Sequence, residues 1–385
     1  MSATQVPLPE LTKPPAGSTW SLRFLLVVSL LLFSLVPAAI VGGLMYRNNV
    51  QSVDELSEKI VRDVALRVRD DTENHLEQVH SLLNALLPAQ FNPAQLSSAA
   101  QLLMQPQAFE ELAFRLTRMS PNVSFLYFGN AQGAFYGVQK ELDDPLQRSK
   151  VHERTTGGGR SYFLATQPGD RSTPLPPETK SYEPRQRPWY EAAVEKKNRV
   201  FSSVYPSASS GQLLITLAQP VVMSDGSVLG VFAVDFFLKR LDDLLKAQTI
   251  SRQGTAMLLD EDGHLLATSV AEPLFSAQGD GWKRHRPVDV SNPALASSHQ
   301  AVAQLMGEPA TLSAQRTVVQ RRVTLANGET LLTVMRPFGE TLGLNWTLIV
   351  AAPESDFSAD RQRAITQSVY AMLAVLLVGA VVAAL

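Results

Sequence analysis

The chain has 385 residues, 45% of them hydrophobic and 18% charged, with a formal net charge of -2. That is enough apolar material for one large domain or two to three ordinary ones, and the scattered basic residues give no electrostatic case for nucleic acid. The absence of cysteine excludes a disulfide scaffold, a thiolate metal site and cysteine catalysis, and it agrees with a bacterial extracytoplasmic protein.

Residues 1–23 read as a short cytoplasmic tail. Phe24 to Met45 (FLLVVSLLLFSLVPAAIVGGLM) carries no charge and can cross a bilayer of ~30 Å as a helix. Its apolar core is longer than the roughly 7–15 residues usual in a signal peptide, so 24–46 is expected to be an uncleaved transmembrane anchor. From about Asn48 to Leu87, Val53, Leu56, Ile60, Val64, Val68, Leu76, Val79 and Leu83 recur at three- and four-residue steps, with a break near Asp71. This predicts a helix ~60 Å long, a stalk that becomes the spine of a domain. Its narrow stripe suits either pairing with a second copy, giving a homodimer, or packing on its own domain.

A second helix is expected near Pro106 to Met119. Val123 to Phe128 and Ala134 to Val138 read as strands around a Gly129–Gly133 turn, and Arg160 to Ala165 as another. Thr155 to Gly159 is a glycine-rich loop without the Lys-Ser/Thr of a phosphate-binding loop, so nucleotide binding is not expected. Pro168 to Pro184 reads as an exposed connection, and Pro188 to Lys197 as a short helix with proline in its first turn. Val200 to Val204, Gln212 to Val222 and Ser227 to Phe237 are predicted strands, the last two joined at Asp225-Gly226. After a helix over Leu238 to Gln248 the pattern restarts. Gly254 to Thr268 reads as a hairpin, Ser276 to Glu308 as polar and irregular, and Gln315 to Leu325, Glu329 to Pro337 and Trp346 to Ala352 as a three-strand meander.

Ser368 to Leu385 is apolar to its last residue and predicts a second span within 366–385. A terminal carboxylate in hydrocarbon is costly, so a longer protein continuing past Leu385 is expected. The fold class is therefore α+β: a long N-terminal helix carrying two antiparallel-sheet units, over 47–252 and 253–360, flanked by two transmembrane helices. Two spans bracketing one large domain is a receptor-like layout, which places that domain outside the inner membrane.

The densest chemistry lies in Tyr182-Glu-Pro-Arg-Gln-Arg-Pro-Trp-Tyr190, with a lone acid, Asp235, in the apolar strand Val231 to Phe237. A guanidinium presents a planar fork matched to a carboxylate, and a carboxylate between Val234 and Phe236 asks for a cationic partner. Aromatic faces add cation–π attraction of ~0.5–2 kcal/mol for an ammonium group. Cation, anion and aromatic walls together suit a zwitterion, most simply a free amino acid. Plainer readings stand beside this one. Asp235 could cap the helix after it, Arg187 could brace its loop through an ion pair, Arg185 suits such a structural pair, and Trp189 could be packing alone. His75 and His80, five apart, miss the helical spacing of a metal pair, and Asp260-Glu-Asp-Gly263 lacks the later ligands of a calcium loop. Neither a metal nor a cofactor is expected, and no nucleophile–base motif points to catalysis.

The tall helix, the two sheet units and the Arg-x-Arg-Pro-Trp-Tyr segment resemble the double Cache domain of bacterial transmembrane sensors. The resemblance covers roughly Val50 to Ala352, with its specific motifs between Tyr182 and Asp235. It implies two PAS-like subdomains with the ligand in the membrane-distal one, and an output such as a histidine kinase, chemoreceptor, phosphodiesterase or nucleotide or diguanylate cyclase. The amino-acid-binding subset of that family carries a spaced pattern matched here by Tyr182, Arg187, Trp189, Tyr190, Tyr205 and Asp235. It implies that Tyr182, Arg187 and Trp189 hold a ligand carboxylate, and Tyr190, Tyr205 and Asp235 its ammonium. A polyamine, an organic acid or a purine in the same architecture, or a tethered scaffold without ligand, are the alternatives.

Overall fold

Apolar residues at two-residue spacing, punctuated by Asp-Gly and Asn-Gly turns, direct a chain into antiparallel hairpins. The structure, a computed structural model, describes residues 22–120, 123, 125–141, 144–155, 157–278, 281–306 and 317–384. The expectations for residues 1–21, Ser124, Thr156, Gln315 and Leu385 fall outside the described residues. In chain order the elements are α1 (Leu22–Leu86), α2 (Pro93–Met104), α3 (Pro106–Met119), β1 (Phe125–Asn130), β2 (Phe135–Lys140), β3 (Ser149–Arg154), β4 (Ser161–Ala165) and β5 (Thr173–Leu175). Then come α4 (Pro188–Lys196), β6 (Val200–Phe201), β7 (Tyr205–Pro206), β8 (Leu213–Val222), β9 (Val228–Phe237) and α5 (Lys239–Lys246). The last group is β10 (Thr255–Leu259), β11 (Leu265–Thr268), β12 (Phe275–Gln278), β13 (Gly281–Arg284), α6 (Pro293–Met306), β14 (Val319–Thr324), β15 (Thr330–Phe338), β16 (Trp346–Pro353) and α7 (Ser358–Ala384).

The chain divides into two compact units, Ser57–Asp356 and a second formed by the residues up to Leu56 with those from Phe357. Among the described residues no helix is long and apolar enough to cross a membrane. Many side chains of the two apolar runs, in α1 and α7, lie outside the described set.

The Ser57–Asp356 unit holds both large sheets. The first has nine strands in the order β5-β4-β3-β2-β1-β9-β8-β6, with β7 also on β8; the second has five, β11-β10-β16-β15-β14. In each, the opening strand lies between the second and the last, so the same wiring is used twice. β9, which carries Asp235, is thus a central strand, not an edge. The Asp225-Gly226 turn forms as expected: Gly226 sits at φ +82, open to glycine at little cost, and Asp225 accepts from Ser227 N at 2.9 Å.

The long helix runs on through Asp71, where the apolar spacing breaks, as expected. Thr72 continues the stripe, fully buried, because its hydroxyl donates to Val68 O at 2.6 Å and so enters the core without an unmet hydrogen bond. Val61, Val64, Val68, Leu76, Val79 and Leu83 are all buried within this one chain. This part of the stripe is spent within the chain itself, whereas Leu56 and Ile60 of the same stripe are exposed. Polar contacts repeat the point: Arg199 donates to Asn84 Oδ1 at 2.5 Å, and from the second sheet Gln320 donates to Glu58 O at 3.0 Å.

The stretch Ser276 to Glu308 departs from expectation. Its described part forms the β12–β13 hairpin and α6, not irregular chain. Serines and glutamine dilute the apolar spacing of α6, yet Leu295, Ala301 and Val302 are buried against the second sheet. Periodicity also missed α2 and β3. Asn92 caps α2 with a reciprocal pair, its side chain accepting from Gln95 N at 2.9 Å and Gln95 answering at 3.0 Å.

On α3, Glu110 is 1% exposed and still fully partnered. Its carboxylate accepts from Tyr136 Oη at 2.6 Å, from Gly169 N at 3.0 Å and from both Arg171 Nη atoms at 3.0 Å. Burial alone would push this acid up. The hydrogen bonds from Arg171, Tyr136 and Gly169 outweigh it and hold the carboxyl below the usual range. The network ties the long β4–β5 connection down to α3.

Candidate functional site

A proline-rich segment cannot continue a sheet, and here it folds into a short 3-10 turn, Pro184–Gln186, that hands over directly to α4. Glu183 opens the turn by accepting from Arg185 N at 3.1 Å and from Arg185 Nε at 2.8 Å. It also pairs with Arg154 at 3.3 Å. Arg187 closes the turn in an extended conformation, φ -93 and ψ 144, and Pro188 starts the helix. This geometry turns Trp189 and Tyr190 inward, at 1% and 5% exposure. Arg185 is thus the structural partner of the loop's acid.

Arg187 has no acidic partner among the described residues. Its Nη2 donates to Pro206 O at 3.3 Å, and its guanidinium lies 5.9 Å from the Tyr182 ring and 5.3 Å from the Tyr205 ring. The ion-pair brace is therefore ruled out for this residue. A half-buried guanidinium held by one carbonyl and two aromatic faces has most of its five donors left for an incoming anion.

Asp235 lies in the middle of the first sheet, paired in register with Phe125 of β1 and Thr216 of β8. It does not cap α5, whose start has no side-chain cap. Its Oδ1 accepts from Tyr127 Oη at 2.6 Å and from Thr216 Oγ1 at 2.7 Å. Because the Thr216 proton is used there, Tyr205 Oη is the donor in its 2.6 Å contact with Thr216 Oγ1. Burial pushes the Asp235 carboxyl up to about 6, against the opposing pull of Tyr127, Thr216 and the two cations Arg160 and Arg187. Burial and the nearby Asp235 charge push the Tyr127 phenol well up, so it remains a donor.

The raised carboxyl gives a pH prediction. The folded chain holds the Asp235 proton more tightly than the unfolded chain, so stability falls as pH rises from about 4 to about 6. Asp235→Asn should remove that slope and leave the unliganded protein more stable at pH 7.5, by about 3 kcal/mol at most. Thermal unfolding of both forms between pH 4.5 and 7.5 checks it; parallel curves would refute the assignment.

Five of the six residues read from the sequence, Tyr182, Arg187, Trp189, Tyr205 and Asp235, line one cavity. Tyr190 stands apart from it, edge-on to Trp189 at 5.4 Å and packed by Gly129, where a Cβ would come within 2.9 Å of Trp189. Sequence reasoning missed Phe125, Tyr127, Arg160 and Thr216. Arg160 is buried and stacked 3.8 Å over the Tyr182 ring, with its charge met by Glu178 at 2.9 Å. The space enclosed is about 20 Å³, room for about one water, beneath the small residues Ser207, Ala208 and Ser209. The one described trio with metal-ligating atoms together, Asp260, Asp262 and His264, lies on the β10–β11 turn of the second sheet.

A profile of the Cache domain matches residues 50–360. The chain belongs to the Cache domain family. Its described part is accordingly a sensor domain of the kind used in signal transduction. Among curated proteins, this Cache chain is 31% identical over 106 residues to the methyl-accepting chemotaxis protein PscA of Pseudomonas syringae, a match covering 28% of this chain and 17% of PscA. It is 25% identical over 300 residues to adenylate cyclase 1 of Rhizobium meliloti, covering 72% of this chain and 42% of the cyclase. The chain thus spans less than half the length of either relative. Among solved structures, it is similar to the ligand-binding domain of the Campylobacter jejuni chemoreceptor Tlp3 in complex with 4-methylisoleucine. There the TM-score is 0.44 and the identity 14%, over 81% of this chain and 94% of that one.

Proposed function

We propose that this Cache chain is the extracytoplasmic sensory part of a bacterial transmembrane receptor, and that it binds a free amino acid in its first sheet unit. One observation carries the reading: a guanidinium without an acidic partner and a buried carboxylate line the same aromatic cavity. Arg187, Tyr182 and Trp189 would take the ligand carboxylate. Asp235 and Tyr205 would take its ammonium, with Tyr190 supporting Trp189 from behind. The ammonium would relieve the cost of burying Asp235, which is what makes the site selective for an amine-bearing acid.

In this reading 24–46 and 366–385 are the membrane spans, 47–252 is the membrane-distal ligand-binding subdomain on its stalk and 253–360 the membrane-proximal one. The chain acts as a homodimer in the inner membrane, and the output region lies in the rest of the protein. An amino acid exceeds the enclosed space, so the Ser207–Ser209 roof moves on binding, and the ligand's differential affinity for the two arrangements biases the output. A thermal-shift screen of the detergent-solubilised chain against the common amino acids tests the proposal. At least one should raise the melting temperature; a flat response across the whole panel would sink it.

A further inference from the structure

The groups assigned to a ligand's α-carboxylate and ammonium leave one charged residue of the tyrosine-lined cavity unused, Arg160. Its position is fixed from several sides. Glu178 N donates to Arg160 O at 2.8 Å and Tyr182 N to Gly158 O at 3.0 Å, so the chain entering β4 is laced to the segment that leads into the site. Gly159 permits this close approach, since a Cβ there would come within 2.2 Å of Glu178 O. The Arg160 side chain is buried, and its guanidinium lies 3.8 Å from the centre of the Tyr182 ring, 5.5 Å from that of Phe135 and 5.7 Å from that of Tyr162. A guanidinium packed among three rings has little freedom to swing aside for a ligand.

Its donors are unevenly used. Nε and Nη2 donate to the two oxygens of Glu178, at 2.9 and 3.0 Å. That is one edge of the planar fork, the edge that a single carboxylate occupies in a bidentate pair. Nη1 donates to no described residue. Glu178 itself stands outside the cavity lining, which carries two guanidinium groups, Arg160 and Arg187, and one carboxylate, Asp235.

We propose that the ligand is a dicarboxylic amino acid, aspartate or glutamate, and that Arg160 reads its side-chain carboxylate. This rests on the amino-acid reading above and deepens it. Three charges of the lining then meet three of the ligand: Arg187 takes the α-carboxylate, Asp235 the ammonium and Arg160 the second carboxylate. Five N–H donors let one guanidinium hold Glu178 on one edge and a ligand carboxylate on the other. An amide in the same place offers only a neutral acceptor, and its NH₂ faces a group that can only donate. Lysine brings a cation against Arg160 and is rejected by like charge. A small apolar side chain leaves the free edge of Arg160 without an acceptor.

The test is calorimetric titration of the full chain in detergent with aspartate, glutamate, asparagine, glutamine, alanine and lysine. At least one acid should bind about tenfold or more tightly than its own amide, the difference between a charged and a neutral acceptor, and lysine should not bind. In Arg160→Met combined with Glu178→Gln, which removes both members of the buried pair together, the preference for acid over amide should be lost. Where that variant does not fold, the comparison of acid with amide in the wild type decides alone. An amide or alanine binding as tightly as the acids, binding of lysine, or a preference unchanged in the paired variant would overturn the inference and leave the amino-acid reading standing. Failure of both acids would also overturn it, and the remaining common amino acids then decide the broader reading separately.

Discussion

Arg187→Ala should weaken binding of the cognate amino acid by roughly 2–5 kcal/mol, a loss of about 30-fold at least, because truncating one member of a desolvated, hydrogen-bonded charge pair carries that cost. The same change should barely alter the unliganded protein. Arg187 contributes one 3.3 Å bond to a carbonyl and no ion pair, so the fold loses little when it goes. This split between affinity and stability separates a ligand contact from a structural arginine. Arg187→Lys should recover only part of the affinity, since an ammonium offers a point charge where the guanidinium offers a planar fork. Titration calorimetry beside thermal unfolding reads both quantities. Equal affinity in wild type and Arg187→Ala would remove the guanidinium from the site.

The opposite split is expected at Glu110. Replacing it with alanine leaves the Tyr136 hydroxyl proton and the Gly169 N–H without an acceptor and leaves Arg171 with Glu153 as its one acidic partner among the described residues, at 2.5 Å. Breaking a buried charge network from one side costs about 3–5 kcal/mol, a sizeable share of a domain's stability. None of these groups lines the tyrosine pocket, so ligand affinity in the folded fraction should persist. The pH dependence has a defined sign. Glu110 is held below its ordinary range when folded, so its contribution is present above the unfolded value and lost as pH falls through the folded one. The gap between wild type and Glu110→Ala should therefore narrow on strong acidification, and denaturant titrations at neutral and acid pH measure it. A gap that widens in acid would contradict the geometry.

What could be read in the sequence follows a physical divide. Tyr182 to Tyr190 was legible because its chemistry is contiguous, and the residue types alone announce a cation beside aromatic rings. Asp235 was legible as an anomaly, a charge in an apolar strand. Tyr127 and Thr216 were not, because each looks like an ordinary strand residue until register places Thr216 opposite Asp235 and Phe125 on its other side. The two sheets were visible from alternation and turn glycines. The β12–β13 hairpin was not, because its polar residues hide a tertiary fact: Trp282 packs against the hydrophobic cluster that surrounds the pocket. Arg160 was invisible for the same reason, since its stacking on Tyr182 is a meeting of distant segments.

The bond between Tyr127 and Asp235 joins residues 108 positions apart in the chain. Contacts so distant in sequence form slowly, because loop closure must be met before pairing rewards it. The pocket needs both halves of the first sheet, since Tyr127 is on β1 and Asp235 on β9. A ligand for it cannot hasten the search that precedes it. It can only retain molecules that have completed the search, adding ~2.7 kcal/mol at a concentration one hundred times its dissociation constant and slowing escape rather than arrival. If the pocket takes an amino acid as proposed, that ligand would also act as a proofreader of folding: only correctly wound copies are held, and holding them lengthens their lifetime.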